Sequence, residues 1–361
     1  MAYATINKPN LYFNTVLNTG NNASPKSITG VGFKPDFVWS KTRTSGNNHT
    51  LFDSVRGAGA NKELLSNETG IEGSGLTGTY GYVSTFNSDG FTAITGSVNF
   101  AYYNNTGDTY VNWNWLGSNT TTSNTSGTIS STVCVNTTSG FSVVGWTGNG
   151  TNGATVGHGL GSTPKMIIIK NRSATSAWLV QHIGLSGAPK ANSSTLTLTS
   201  SNTNGCILLQ EPDPQITYSF DAQINGSGNS MIAYCFADVK GYSKFGSYTG
   251  NGSSPNGPFI YTGFKPAFVI IKSSTVSGIS RWLMKDNKRN TYNVVANNLI
   301  ADVASVENTD DNDYVDFLSN GFKITALSTS ANTNNSGQTY IYMAFAENPL
   351  VGTNNIPTTA R

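Results

Sequence analysis

The sequence predicts an all-β fold, built as three tandem β-sandwich repeats of jelly-roll type. Composition, a repeated phrase and the spacing of turns predict it. Charged residues make up only 11% of the 361 residues, well below the roughly 25% of an ordinary globular chain. Ser, Thr, Asn and Gly replace them. That polar, uncharged composition suits short strands and tight turns better than helices, whose exposed faces carry Lys and Glu. An apolar fraction of 37%, with 11% aromatic, is too rich for a disordered chain.

The repeated phrase is "GFKPDFVWSK" (Gly32 to Lys41), "LGSTPKMIIIK" (Leu160 to Lys170) and "GFKPAFVIIK" (Gly263 to Lys272). Each copy sets a proline six residues before a lysine. Proline cannot donate to a ladder, so it is tolerated where a strand begins. The β-branched and aromatic run behind it reads as a strand buried on both faces, and the lysine ends the apolar run. Other landmarks keep the same order. A Thr-Gly-Asn turn opens each unit at Gly20, Gly148 and Gly250. A Gly-Phe turn, "FNSDGF" and "FLSNGF", comes late in the first and third units. The second lacks a clear copy. The units close on "NNTGDTYVNWNW", "INGSGNSMIAYCF" and "NNSGQTYIYMAF".

These landmarks predict repeats over 1–117, 141–240 and 241–348, with a Ser/Thr/Asn-rich linker at 118–140 and a tail at 349–361. Each repeat is a common size for a sandwich. The tight join between the second and third suggests that they pack closely, with the first more separate. The best helical stretch, "NKELLSNE" (Asn61 to Glu68), is about two turns long.

Several function classes are disfavoured. Net charge is +2, and no basic patch is present to neutralise phosphates, so nucleic acid is not an expected partner. No apolar run approaches the ~20 residues of a membrane span. "MAYATINKPNLYF" lacks the basic and apolar regions of a signal peptide, which suggests synthesis in the cytoplasm without membrane insertion. Cys134, Cys206 and Cys235 are odd in number and irregularly spaced, and read as small apolar residues. His49, His158 and His182 share no metal-ligand spacing and read as surface or loop residues.

The sequence therefore singles out no catalytic, cofactor-binding or metal-binding residues, and the chain reads as non-enzymatic. Asp310, Asp311, Asp313 and Asp316 could offer oxygens to Ca²⁺, but not at EF-hand spacing. A solvated loop is the plainer reading. Asp53–Arg56 and Asp286–Arg289 read as structural pairs that could brace loops, worth about 0–1 kcal/mol if exposed, and not as catalytic residues. Candidate glycan-binding residues are Tyr102, Tyr103, Trp113 and Trp115. Their rings could stack on sugars, although the two tryptophans, sharing one strand face, also fit a core. Trp178 and Trp282 read as core.

The chain resembles a group of marine bacteriophage proteins, of cyanophage and pelagiphage type. These carry tandem units of the pattern GF-x-P-x-F-V-W-x-K, D-S-V-R-G, F-x-S-D-G-F and Y-V-x-W-x-W. The matching residues are "GFKPDFVWSK", "FDSVRG" (Phe52 to Gly57), "FNSDGF" and "YVNWNW". The likeness covers most of the chain and is weakest in the second unit. It implies a virion structural protein, tail fibre-like, with other tail or capsid proteins and host surface polysaccharide as partners. A homotrimer is expected by the same analogy. A capsid decoration protein is the alternative reading, and a polysaccharide-degrading tailspike is a third.

Overall fold

The computed structural model describes residues 4–186, 189–199, 206–209, 221–275, 280–327, 330 and 332–351. The fold is all-β, and among the described residues the strands pair antiparallel, with one isolated parallel bridge between Ile129 and Val156. Unit one contains β1 (Phe13–Thr19), β2 (Lys26–Ile28), β3 (Phe37–Thr42), β4 (Thr50–Asp53), β5 (Tyr82–Asn87), β6 (Gly90–Ile94) and β7 (Thr109–Trp115). They form a large sheet, β1-β7-β3-β4, and a small one, β2-β6-β5.

Unit two contains β8 (Thr122–Asn124), β9 (Ser131–Asn136), β10 (Phe141–Thr147), β11 (Ala154–Gly157), β12 (Met166–Asn171), β13 (Leu179–His182), β14 (Thr195–Leu198), β15 (Ile207–Leu208) and β16 (Ser230–Phe236). Its large sheet runs β15-β13-β12-β16-β10-β9-β8, and β11 pairs with β14. Unit three contains β17 (Ser243–Thr249), β18 (Phe259–Tyr261), β19 (Phe264–Ser273), β20 (Leu283–Asp286), β21 (Asn297–Ile300), β22 (Asn308–Thr309), β23 (Val315–Leu318), β24 (Gly321–Ile324) and β25 (Thr339–Pro349). Its sheets are β17-β25-β19-β20-β21-β22 and β18-β24-β23.

The repeated phrase supplies β3, β12 and β19, each paired to the closing strand of its own unit. Side chains alternate across a strand, and here both sets are buried. Val38, Ile167, Ile169, Val269 and Ile271 face the small sheet of their own unit. Phe37, Trp39, Met166, Ile168, Phe268 and Ile270 face the other way, into one apolar cluster lined by all three large sheets. The units are therefore not separate domains, because each leaves half of its large sheet to be covered by the other two.

Pairing register places Trp115, Phe236 and Phe345 at equivalent points of the three closing strands. Their rings form a triangle with centroid separations of 6.3, 5.8 and 6.0 Å. The chain thus has an internal three-fold arrangement, and unit one lies as deep in the shared core as its neighbours. Burial of this kind contributes roughly 25 cal/mol per Å² of apolar surface.

The turn landmarks also have a physical reason. A Cβ on Gly20, Gly148 or Gly250 would fall 1.9, 2.2 or 2.3 Å from a backbone oxygen of the turn before the closing strand. Only glycine permits that approach. The next backbone N–H then donates to a buried asparagine: Asn21 to Asn104 (3.1 Å), Asn149 to Asn225 (3.2 Å) and Asn251 to Asn334 (3.0 Å). Pro266 lies inside β19 at a register shift, as a residue without an N–H requires.

Two expectations are corrected. The stretch 118–140 is not a bare linker, since it contributes β8 and β9 to the second large sheet. Cys134 of β9 enters the shared core and Val133 the sandwich core. Asn61 to Glu68 is not helical either. Leu64 bridges Leu51 in extended conformation, and Glu63, Leu64 and Leu65 are all buried. A two-turn helix would turn one of its faces outward.

Candidate functional site

The four aromatics proposed for sugar contact are all buried. Tyr102 donates to the Gly75 carbonyl at 2.8 Å, and the Tyr103 hydroxyl meets Thr50 Oγ1 at 2.7 Å. Trp115 sits in the aromatic triangle. Trp113 donates from Nε1 to Asp286 Oδ2 at 3.1 Å, across to unit three. No ring among the four has a free face, so none can stack on a saccharide. Alternation correctly puts Trp113 and Trp115 on one face of β7, but that face is covered by other units.

The Asp–Arg pairs are interior. Arg56 Nε lies 2.5 Å from Asp53 Oδ2, and Arg289 Nε 2.5 Å from Asp286 Oδ2, all four side chains fully shielded. Each pair extends into a chain across a junction. Arg56 reaches Glu72 at 3.4 Å, and Arg172 of unit two meets the same carboxylate at 2.6 Å. In the equivalent place Arg289 reaches Glu307 at 3.0 Å, and Arg43 of unit one meets it at 2.7 Å. Tyr234 of unit two donates to Asp53 at 2.8 Å, as Trp113 does to Asp286. The Arg289 guanidinium also lies 5.6 Å from the centre of the Trp113 ring, a cation–π distance. Burial works against both guanidinium charges. The neighbouring carboxylates outweigh it and hold both pKa values above the ordinary value.

The histidines are buried as well, contrary to a surface role. His49, Trp178 and Trp282 precede equivalent strands, and each reaches into the next unit. Trp178 Nε1 donates to Leu65 O at 2.8 Å and Trp282 Nε1 to Leu208 O at 2.7 Å. His49 accepts from Trp39 Nε1 at 3.0 Å, and its other nitrogen is buried against the Ile300 and Val303 backbone without a well-formed hydrogen bond. His182 occupies the position of Asp53 and Asp286 in the ladder. It accepts from Gly184 N–H and donates to Tyr342 O of unit three at 3.0 Å, so the partners define a neutral Nε2–H tautomer. Burial pushes its pKa down to about 4.

Two of the phrase-final lysines, Lys41 and Lys170, are buried. Lys41 Nζ donates to Thr42 O, Ser45 O and Ala304 O of unit three. Lys170 Nζ donates to Ser176 O and to Thr69 O of unit one. Burial lowers both pKa values to about 7. With Lys41 and Arg43, and with Lys170 and Arg172, one strand end carries both junction cations.

The acidic stretch is also divided. Glu307 belongs to the junction network, and Asp310 Oδ1 accepts from Asn312 N–H. Asp313 is buried and accepts from Ser330 at 2.6 Å and Asn332 at 2.9 Å. The described residues contain no cluster of ligands that could hold a metal ion.

A solvent-open pocket among the described residues lies in unit three. A pocket of about 480 Å³ lies between the segment leading into β17, the β18–β19 turn and the end of β25. Tyr261 on its rim is 60% exposed. Sequence reasoning missed it. The signal was available in "FIY", where the two outer residues of an edge strand are aromatic.

These features define a class: an all-β protein with three repeats closed around one core, stitched at two junctions by buried ion pairs. The chain belongs to the family described as Domain of unknown function (DUF7483), which it matches over residues 8–349. That span takes in all three units, as a shared core requires. No curated protein and no solved structure matches the chain.

Proposed function

We propose that the chain is a non-enzymatic component of a bacteriophage virion surface, acting on the tail as a fibre-like, receptor-binding protein that contacts host surface glycan. The observation that carries this reading is the three-fold closure of sandwich repeats on a shared core. It makes a rigid block whose ion-pair networks serve cohesion between units. Its outer turns are rich in Asn, Ser and Thr, a polar uncharged surface suited to carbohydrate. The motif resemblance to marine phage structural proteins supports the same role, with other virion proteins as its anchoring partners.

Burial of Tyr102, Tyr103, Trp113 and Trp115 favours a second reading, a capsid decoration protein that needs no glycan contact through unit one. Antibody labelling of intact particles under the electron microscope separates the two. Label on the tail is the expected result. Label spread over the head replaces it with decoration, and absence from every particle overturns both.

A further inference from the structure

We propose that the unit-three pocket is a saccharide-binding site in which Tyr261 is the stacking platform and Lys244 with Asp238 bind the hydroxyl edge. This rests on the glycan-contact reading and moves that contact from unit one to unit three. Three observations carry it.

The first is a difference between repeats. Ile28 of β2 pairs with Phe91, and Ile260 of β18 pairs with Phe322, so the two strands are equivalent. The flanking residues are Ser27 and Thr29 in unit one, and Phe259 and Tyr261 in unit three. Phe259 is 46% and Tyr261 60% exposed. The fold forms in unit one without aromatics here, so the repeat does not need them for its core.

The second is the pocket itself. Its volume of about 480 Å³ falls within the range of about 300–1,000 Å³ typical of small-molecule sites. Leu350 gives it an apolar wall beside the tyrosine. The Tyr261 ring lies along bare backbone at Gly263, whose φ is +82°. A side chain is disfavoured there.

The third is a fixed polar pair. Asp238 Oδ1 accepts from Phe245 N–H at 2.9 Å, and Oδ2 pairs with Lys244 Nζ at 2.7 Å. The Lys244 side chain is 42% exposed. An ammonium has three protons, so two remain for a ligand. A pyranose matches this set, with an apolar C–H face for the ring and hydroxyls for the pair. A sugar carboxylate can take a charge-assisted hydrogen bond from the remaining Lys244 protons, so an acidic sugar binds ahead of a neutral one.

The test is saturation-transfer NMR on the whole chain, with methyl β-glucuronide and methyl β-glucoside as probes. The expected result is transfer to ring C–H protons of both, with the glucuronide bound more tightly. Tyr261→Ala should weaken binding by about tenfold or more with an unchanged melting temperature. Tyr292→Ala, at another exposed tyrosine outside the lining, should bind as the parent does. No transfer at millimolar sugar, or full binding by Tyr261→Ala, overturns the site. The two proposals fail separately. Tail label without sugar binding removes the pocket and keeps the virion role. Sugar binding without label on particles does the reverse.

Discussion

Where unit two meets unit one, Asp53, Arg56, Glu72 and Arg172 form a continuous chain of ion pairs. Where unit three meets unit two, the same backbone positions as Asp53, Arg56 and Arg172 carry His182, Leu185 and Ser274. The strands superpose in register at both places, and the shared core runs through both. Closure therefore follows from apolar burial, which all junctions have. A buried ion pair is weak grounds for stability, because desolvation offsets most of its attraction. Its firmer effect is intolerance: a lone partner left inside is costly. The charged junctions thereby discriminate against wrong pairings of units, while the His–Leu junction joins its partners through shape and neutral hydrogen bonds, His182 to Tyr342 O and Trp282 to Leu208 O.

The largest effect should come from breaking one charged junction on one side only. Arg289→Leu strands the Asp286 carboxylate and should cost about 3–5 kcal/mol in denaturant unfolding. Copying the other junction is the sharper test. Asp286→His with Arg289→Leu reproduces His182 and Leu185, and should cost less than about 2 kcal/mol, mostly for the lost acceptor of Trp113. A double variant as unstable as the single one would mean that charge closes the junction after all.

Acid should act on the neutral junction. His182 has a folded pKa of about 4 against an ordinary 6.5, so the unfolded chain binds its proton first. Its contribution is complete above about pH 6.5 and is lost as pH falls through 4. His49 and His158, also lowered by burial, act in the same direction. Asp302 and Asp313, raised by burial, act in the opposite one. The melting temperature should fall between pH 6.5 and 4, and His182→Gln should flatten that fall. On the alkaline side Lys41 and Lys170 are lowered to about 7 from 10.5. Stability should therefore rise from pH 7 towards 10, less so in Lys170→Met. The smallest effect is expected at the axis, where Trp115→Phe matches Phe236 and Phe345 and removes an indole N–H that has no partner. It should change stability by less than about 1.5 kcal/mol.

The three related phrases made the strands and their burial on both faces legible in the sequence, and Pro35 and Pro164 precede their strands as expected, whereas Pro266 lies inside β19. The identity of the second covering layer was not. Trp113 and Trp115 alternate as residues of a buried face do, but alternation is silent on whether solvent, sugar or another unit covers that face. The same ambiguity misplaced the histidines. Few charges in a chain need not mean charges at the surface, and here Lys41, Arg56, Lys170 and Arg289 are interior. The stretch 118–140 was misread because its polar residues outnumber "TVCV", although that short run suffices for an added strand. Tyr261 was passed over because an aromatic in a three-residue strand looks like core until its outward register is known.

The three-fold core has a consequence for dilution. Three separate chains meeting at the Trp115–Phe236–Phe345 triangle would dissociate as their concentration dropped, since association follows mass action. Here peptide bonds hold the partners within reach of one another, so their effective concentration is fixed by chain length and not by the solution. The three units should therefore remain closed on one another at any dilution of the chain.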